Sequence, residues 1–259
     1  MDGSSPARQA LVAALRRKVE RIESHHPLAD EQILSCGSPP LDRLLPAGGL
    51  RRGSLVEYLA PGPGCGAMTL AVAAAREACR EGRALVVFDR RRTFYPAAAA
   101  AWGIDLAGLL ILQPADDAAE LWALDQALRC PGVGAVLAPC GVFDGRDFRR
   151  LQLAAESGGS VGLLLRPARV RGQPTWADVQ WQVGQVGNLP GKILGQDSQR
   201  SNAWRLQVEL VHCRGGPSGQ AALVELDETT GTWEESDASQ THPVHSSAQL
   251  AHPAPARRA

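Results

Sequence analysis

The residues best placed to do chemistry form the loop Pro61-Gly-Pro-Gly-Cys-Gly66, followed by Ala67, Met68 and Thr69. An apolar run, Ser54 to Leu59, leads into it. A helical pattern from Ala67 to about Glu81, with Leu70, Ala74 and Ala78 on one face, leads out. Strand, glycine-rich loop and helix in that order make a phosphate cradle. Glycines let backbone N–H groups wrap an anion, and the helix N-terminus adds a favourable field. Nucleotide chemistry needs two further groups: a lysine on the outer phosphates and a Ser or Thr hydroxyl on magnesium. With the frame set on Gly66, those positions hold Ala67 and Met68, and Thr69 comes one residue late. Pro61, Gly62, Gly64, Gly66, Ala67 and Met68 therefore read as a degenerate phosphate loop. The expectation is a tight strand-to-helix turn that admits an anion weakly at most.

A carboxylate for magnesium is expected just after a core strand. The run Ala84–Phe88 is followed by Asp89-Arg90-Arg91-Arg92, and the run Ala135–Ala138 by Pro139-Cys140. Pro139 offers no carboxylate. Asp89 does, but with three arginines beside it the expected state is an ion pair with them. No catalytic residue is assigned.

Other reactive types are sparse. Cys36, Cys65, Cys79, Cys130, Cys140 and Cys213 are scattered without a C-x-x-C pair, which argues against zinc and a disulfide framework. His242 and His245 have ligand spacing but lack partners, and His25-His26 reads as a helix end. No metal and no cofactor is expected. Cys65 lies where a helix N-terminus would lower a thiol pKa, although a small residue filling a turn explains it as well. The tryptophans at 176, 181 and 204 are expected in the core. Lys plus Arg and Asp plus Glu both number 27, so no bulk basic excess points to nucleic acid, and any such contact must be local. No apolar stretch reaches 18 residues and no apolar signal core opens the chain, so a cytoplasmic, reduced location is expected, with nucleoid association compatible with it.

These groups must be held by something. Short apolar runs at Ser54–Leu59, Ala84–Phe88, Leu109–Leu112, Ala135–Ala138 and Val161–Leu165 alternate with helical stretches near 67–81, 95–102, 116–130 and 145–157. That grammar predicts an α/β fold with a mostly parallel sheet and helices on both faces. After Arg166 it changes. Trp176–Val183, Trp204–Leu210 and Ala221–Asp227 alternate with period two, predicting antiparallel strands. Residues 6–24 predict a leading helix with the stripe Leu11, Leu15, Val19 and Ile22. The expected organisation is an N-terminal helix over 1–27, a core over 28–235, and a disordered tail over 236–259, where Ser, Gln, His, Pro and Ala show no period.

The order of motifs resembles a known family. Pro40-Leu-Asp-Arg-Leu-Leu-Pro-Ala-Gly-Gly-Leu-Arg-Arg-Gly-Ser54 is similar to the lead-in of RecA-type recombinases. So are Val87-Phe-Asp-Arg-Arg-Arg-Thr-Phe-Tyr-Pro96, Trp102-Gly-Ile-Asp105 and Leu109-Leu-Ile-Leu-Gln-Pro114. Trp176-Ala-Asp-Val-Gln-Trp181 and Arg205-Leu-Gln-Val-Glu-Leu-Val-His-Cys-Arg-Gly-Gly216 resemble the ImuA branch, the RecA-related accessory proteins of mutagenic translesion synthesis. The resemblance spans roughly residues 6 to 234 and implies a RecA-like, P-loop-NTPase-type core.

Carried over by position, the resemblance is a record of losses. The lysine aligns with Ala67, the catalytic glutamate with Arg91 and the magnesium aspartate with Pro139. It implies a pseudo-ATPase acting in the SOS response to DNA damage. The implied partners are a Y-family-polymerase-like (ImuB-like) mutagenesis protein, an error-prone C-family polymerase and RecA. The DNA loops of the family would fall near Gly141–Asp147 and Pro167–Thr175. Arg166, Arg169 and Arg171, with Arg90, Arg92 and Arg214, are candidate contacts to DNA or a partner; a solvated basic loop and local ion pairs are equally open readings. Arg146, Arg149 and Arg150 read as a surface face beside Phe148 and Leu151. The leading helix resembles the segment by which RecA protomers dock. It is open whether it docks to another protomer as a homo-oligomer, to RecA, or on its own core. Two other functions stay in view, a divergent DNA-dependent ATPase using Asp89 and a SulA-type inhibitor of cell division.

Overall fold

The computed structural model describes residues 33–141, 143–185, 204–227 and 232–235. The predicted leading helix with Leu11, Leu15, Val19 and Ile22, and the predicted tail with His242 and His245, lie outside the described residues.

The chain enters through a small antiparallel pair, β1 (Ile33–Leu34) and β2 (Leu50–Arg51), around a single helical turn, α1 (Pro39–Asp42). Then β3 (Leu55–Ala60), α2 (Ala67–Ala78), β4 (Ala84–Phe88), α3 (Pro96–Ala101), β5 (Leu109–Leu112), α4 (Asp117–Arg129), β6 (Val133–Pro139), α5 (Gly145–Gly158) and β7 (Val161–Pro167) alternate as predicted. β8 (Val179–Gln185), β9 (Arg205–Cys213), β10 (Gln220–Asp227) and β11 (Thr232–Glu235) complete the described chain. One nine-stranded sheet takes the order β11-β10-β9-β8-β3-β7-β6-β4-β5.

Helix boundaries follow local chemistry. The carboxylate of Asp116 accepts from Ala119 N (2.8 Å) to start α4, and that of Asp144 accepts from Asp147 N (2.7 Å) to start α5. The left-handed Gly159 (φ 69°) ends α5. The sheet separates two cores. On one side α2, half of it alanine, lies close on Val56, Tyr58, Leu85, Val87, Leu137 and Leu163. The same layer continues under Trp181, Val183, Leu206, Val208 and Trp233, so core and C-terminal strands share one apolar layer. On the other side Leu124 and Leu128 of α4 and Phe148, Leu151 and Ala155 of α5 cover Leu55, Val86, Val136 and Leu164.

One strand departs from expectation. β8, predicted antiparallel, pairs parallel with β3 (Val56↔Val179, Tyr58↔Trp181) and antiparallel only with β9. Period-two alternation reports that one face is less apolar, and it does not report strand direction. The polar face of β8 is not turned wholly to water: Gln180 is buried, 3% exposed, among other polar groups.

The two sheet edges differ. β11 ends in exposed Glu234 and Glu235, and Glu235 pairs with Arg43 beside α1. β5 carries no charge, and Leu110 (49%) and Ile111 (37%) lie open to solvent. Edge strands usually carry charges that discourage pairing with other chains; β5 lacks them.

Candidate functional site: a glycine-rich loop without its charges

β3 delivers the chain to the sheet's C-terminal edge, where the glycine-rich loop turns it into α2. Gly64 (φ 76°) and Gly66 (φ 89°) are left-handed, conformations that side chains with a Cβ rarely adopt. Gly66 is the N-cap of α2, and no side chain caps that end. The turn geometry predicted from the glycines is therefore present.

The chemistry inside it is apolar. Cys65 (7% exposed) and Ala67 (2%) are buried, and Met68 packs against the same core. Leu206 of β9 stands against Gly66: a Cβ added there would lie 2.7 Å from Leu206 Cδ2. Gln185, at the end of β8, donates from Nε2 to Gly64 O at 2.7 Å. Pro61, Pro63 and Gly64 remain exposed and Gly62 partly so. The loop thus has an open half and a half closed under the C-terminal strands.

The surrounding positions follow the same pattern, with one correction. Asp89 is buried, but it does not pair with the arginines beside it. Its carboxylate accepts from Thr93 N (2.9 Å) and Phe94 N (3.0 Å), and it so fixes the turn after β4. A short carboxylate satisfies nearby backbone donors more readily than three long, solvated side chains can converge on it. Arg90 instead reaches Asp117 and Glu120 of α4. Arg91 and Arg92 are exposed, and Arg92 has φ 55°. Pro139 ends β6 with no carboxylate. Among the described residues, no group of three or more His, Cys, Asp or Glu is placed to hold a metal ion.

The charges of this end of the sheet gather elsewhere. Glu57, fully buried in the middle of β3, pairs with Arg166 of β7, which is itself buried. The second Glu57 oxygen accepts from Gln180 Nε2 (2.7 Å) and Thr175 Oγ1 (2.8 Å). Arg166 Nε donates to Gly141 O (3.1 Å), and its guanidinium lies over Phe143 and Phe148. Both predicted DNA loops, 141–147 and 167–175, are thereby tied to the strand that precedes the phosphate loop. Cys140 lies next to this pair; burial and the nearby carboxylates of Glu120 and Glu57 push its thiol far above the ordinary range. No motif in the sequence marks this cluster. Its signal was a glutamate inside an otherwise apolar strand run, which demands a buried partner.

Arg166 is therefore not available to DNA, a correction to its reading as a candidate contact just before the second loop. A buried guanidinium with a carboxylate, a carbonyl and two rings has no surface to offer. Arg171 makes a two-point pair with Glu209 (2.6 and 2.9 Å). Arg214 holds Asp178 (3.2 Å) and donates to Trp176 O. Asp178 also accepts from Leu55 N (3.0 Å), while burial raises its carboxyl above the usual range. Arg169 is exposed. On α5, Phe148 and Leu151 point inward and Arg146 and Arg150 outward, as expected of a surface face. Trp181 is core, but Trp176 (39%) and Trp204 (47%) are partly open, and Arg149 stacks on Trp176 at 4.7 Å.

Comparison with known proteins agrees with this fold. The RecA N-terminal domain family matches residues 17–138. RecA of Chlorobium limicola is 35% identical over 119 residues, 46% of this chain and 34% of that protein. The crystal structure of the RadB recombinase superposes with a TM-score of 0.58 at 16% identity, covering 79% of this chain and 100% of that one, and so shares the fold. Protein ImuA of Caulobacter vibrioides is 30% identical over 204 residues, 72% of this chain and 81% of that protein. The chain belongs to the ImuA family and is built on the RecA-like fold.

Proposed function

We propose that this protein is a non-catalytic, RecA-like accessory protein in DNA-damage-induced mutagenesis and translesion synthesis, working through docking to other proteins. One observation carries the reading: the phosphate loop keeps its turn while every group that would act on nucleotide is replaced. Ala67 and Met68 stand for lysine and hydroxyl, Arg91 for the glutamate and Pro139 for the aspartate. Asp89, the one carboxylate that a divergent ATPase could use, is already bound to backbone donors. The match to ImuA over most of that protein's length favours this reading over a division inhibitor. Its proposed partners are a Y-family-polymerase-like (ImuB-like) protein, an error-prone C-family polymerase and RecA, with DNA contact as a subsidiary role.

Calorimetric titration of the full chain with ATP and magnesium tests the core of this. The expected result is no heat of binding and no phosphate release. Micromolar binding with hydrolysis would overturn it and restore the ATPase reading.

A further inference from the structure

The closed half of the phosphate loop has a consequence that does not depend on whether nucleotide binds. In a cradle of this kind the backbone bends sharply around an anion, and the anion's contacts hold the bend. Here the bend exists with other partners. Two residues from separate C-terminal strands meet it at adjacent points. Gln185 holds the carbonyl of Gly64, and Leu206 (1% exposed) fills the space beside Gly66 where a side chain would project. Gln182 adds a third tie, with Nε2 3.3 Å from Leu59 O one residue before β3 ends. Cys65 and Ala67 are buried in the same apolar layer as Val183, Leu206 and Val208.

We infer that the C-terminal strands act as an intramolecular clamp on the phosphate loop: Leu206 and Gln185 hold Gly64–Ala67 in the bent, helix-starting shape that a bound phosphate would otherwise stabilise. The loop is then a permanent joint between the parallel core and its antiparallel extension. A surface built across that joint keeps one shape in every nucleotide condition of the cell.

Hydrogen exchange on the full-length protein, without nucleotide, reads the clamp directly. In the wild type, the amide of Leu70, which donates to Gly66 O (3.0 Å), and those of the α2 turn after it should exchange as slowly as those of β4 and β6. In L206A/Q185A, exchange in that segment should rise at least about tenfold over any rise in β4 and β6. The control L226A removes a leucine from the same apolar layer at β10, and should raise exchange without singling out the loop. Fast loop exchange in the wild type would overturn the inference. So would a uniform rise across the chain in L206A/Q185A, or a loop-selective rise in L226A. None of these outcomes bears on ATP binding, so failure of the clamp and failure of the accessory-protein reading are separable.

Discussion

The phosphate loop and the Glu57–Arg166 cluster start from the same strand, β3, and have opposite characters. The loop, at the strand's end, has the glycine turn and carries no charged side chain. The cluster, in the strand's middle, holds a full complement of charge with each main partner supplied from within: Arg166, Gln180, Thr175, Gly141 O and two aromatic rings. Catalytic charges are left incompletely satisfied so that substrate can complete them. Structural charges are completed by the fold. By that criterion the charge on β3 is structural, and the loop beside it is uncharged.

The largest expected effect tests the cluster. Removing one member of a buried ion pair leaves the other charge uncompensated, at about 3–5 kcal/mol. Glu57→Ala should therefore lower folding stability by roughly that amount in a urea titration, because Arg166 is buried and, among the described residues, its ion pair is with Glu57. Replacing both, as E57L/R166M, should recover only part of the loss, since the uncompensated charge is gone but Gln180 Nε2 and Gly141 O lose their partners. If Glu57→Ala shifts stability by less than about 1 kcal/mol, the pair is open to water and the contrast with the loop fails.

The next effect tests the loop by its two glycines. Both are left-handed, so alanine at either should cost about 1–2 kcal/mol from backbone strain. They differ in what surrounds them. Gly64 has nothing within 4 Å of the added methyl, whereas Gly66 faces Leu206. Overpacking against a buried leucine adds about 1–3 kcal/mol. Thermal melting should place Gly66→Ala below Gly64→Ala by that increment, and L206A should relieve part of it in the double variant. Equal losses at the two glycines would mean that Leu206 yields freely and the loop is not packed.

This contrast explains what was legible in the sequence. The βαβ alternation of short apolar runs and helices sets the parallel core, because strands buried on both faces must be continuously apolar. The glycines and the absent lysine can be read directly, since backbone freedom and a missing side chain are properties of single positions. The direction of β8 could not be read. Its alternation came from Gln180 meeting Glu57, a contact between residues far apart in the chain, and the same pattern would arise on an antiparallel strand facing water. Arg166 failed for the same reason: an arginine closing an apolar run reads as the start of a basic loop until Glu57 is known to lie beneath it. Asp89 misled locally, because adjacency to arginines suggested an ion pair where the backbone of Thr93 and Phe94 offered nearer donors.

The smallest effects belong to the arginines left at the surface, and they test whether any charge at this end of the sheet is unspent. Arg171 is engaged twice by Glu209, in a pair open to solvent, so Arg171→Ala should cost at most about 1 kcal/mol. Arg169 is exposed three residues after the buried Arg166, and Arg169→Ala should leave stability within about 0.5 kcal/mol. Their effects on nucleic acid should run the other way. A side chain free to neutralise a phosphate contributes about one unit to the slope of log affinity against log salt, and one already held by a carboxylate contributes less. Measured on single-stranded DNA across a salt series, Arg169→Ala should reduce the slope by roughly one unit and Arg171→Ala by clearly less. Equal reductions would show that DNA displaces Glu209 and that this ion pair is a gate rather than a fixture. If the wild type shows no salt-dependent binding, the loop after β7 is not a nucleic-acid contact. The accessory role would then rest on protein surfaces alone.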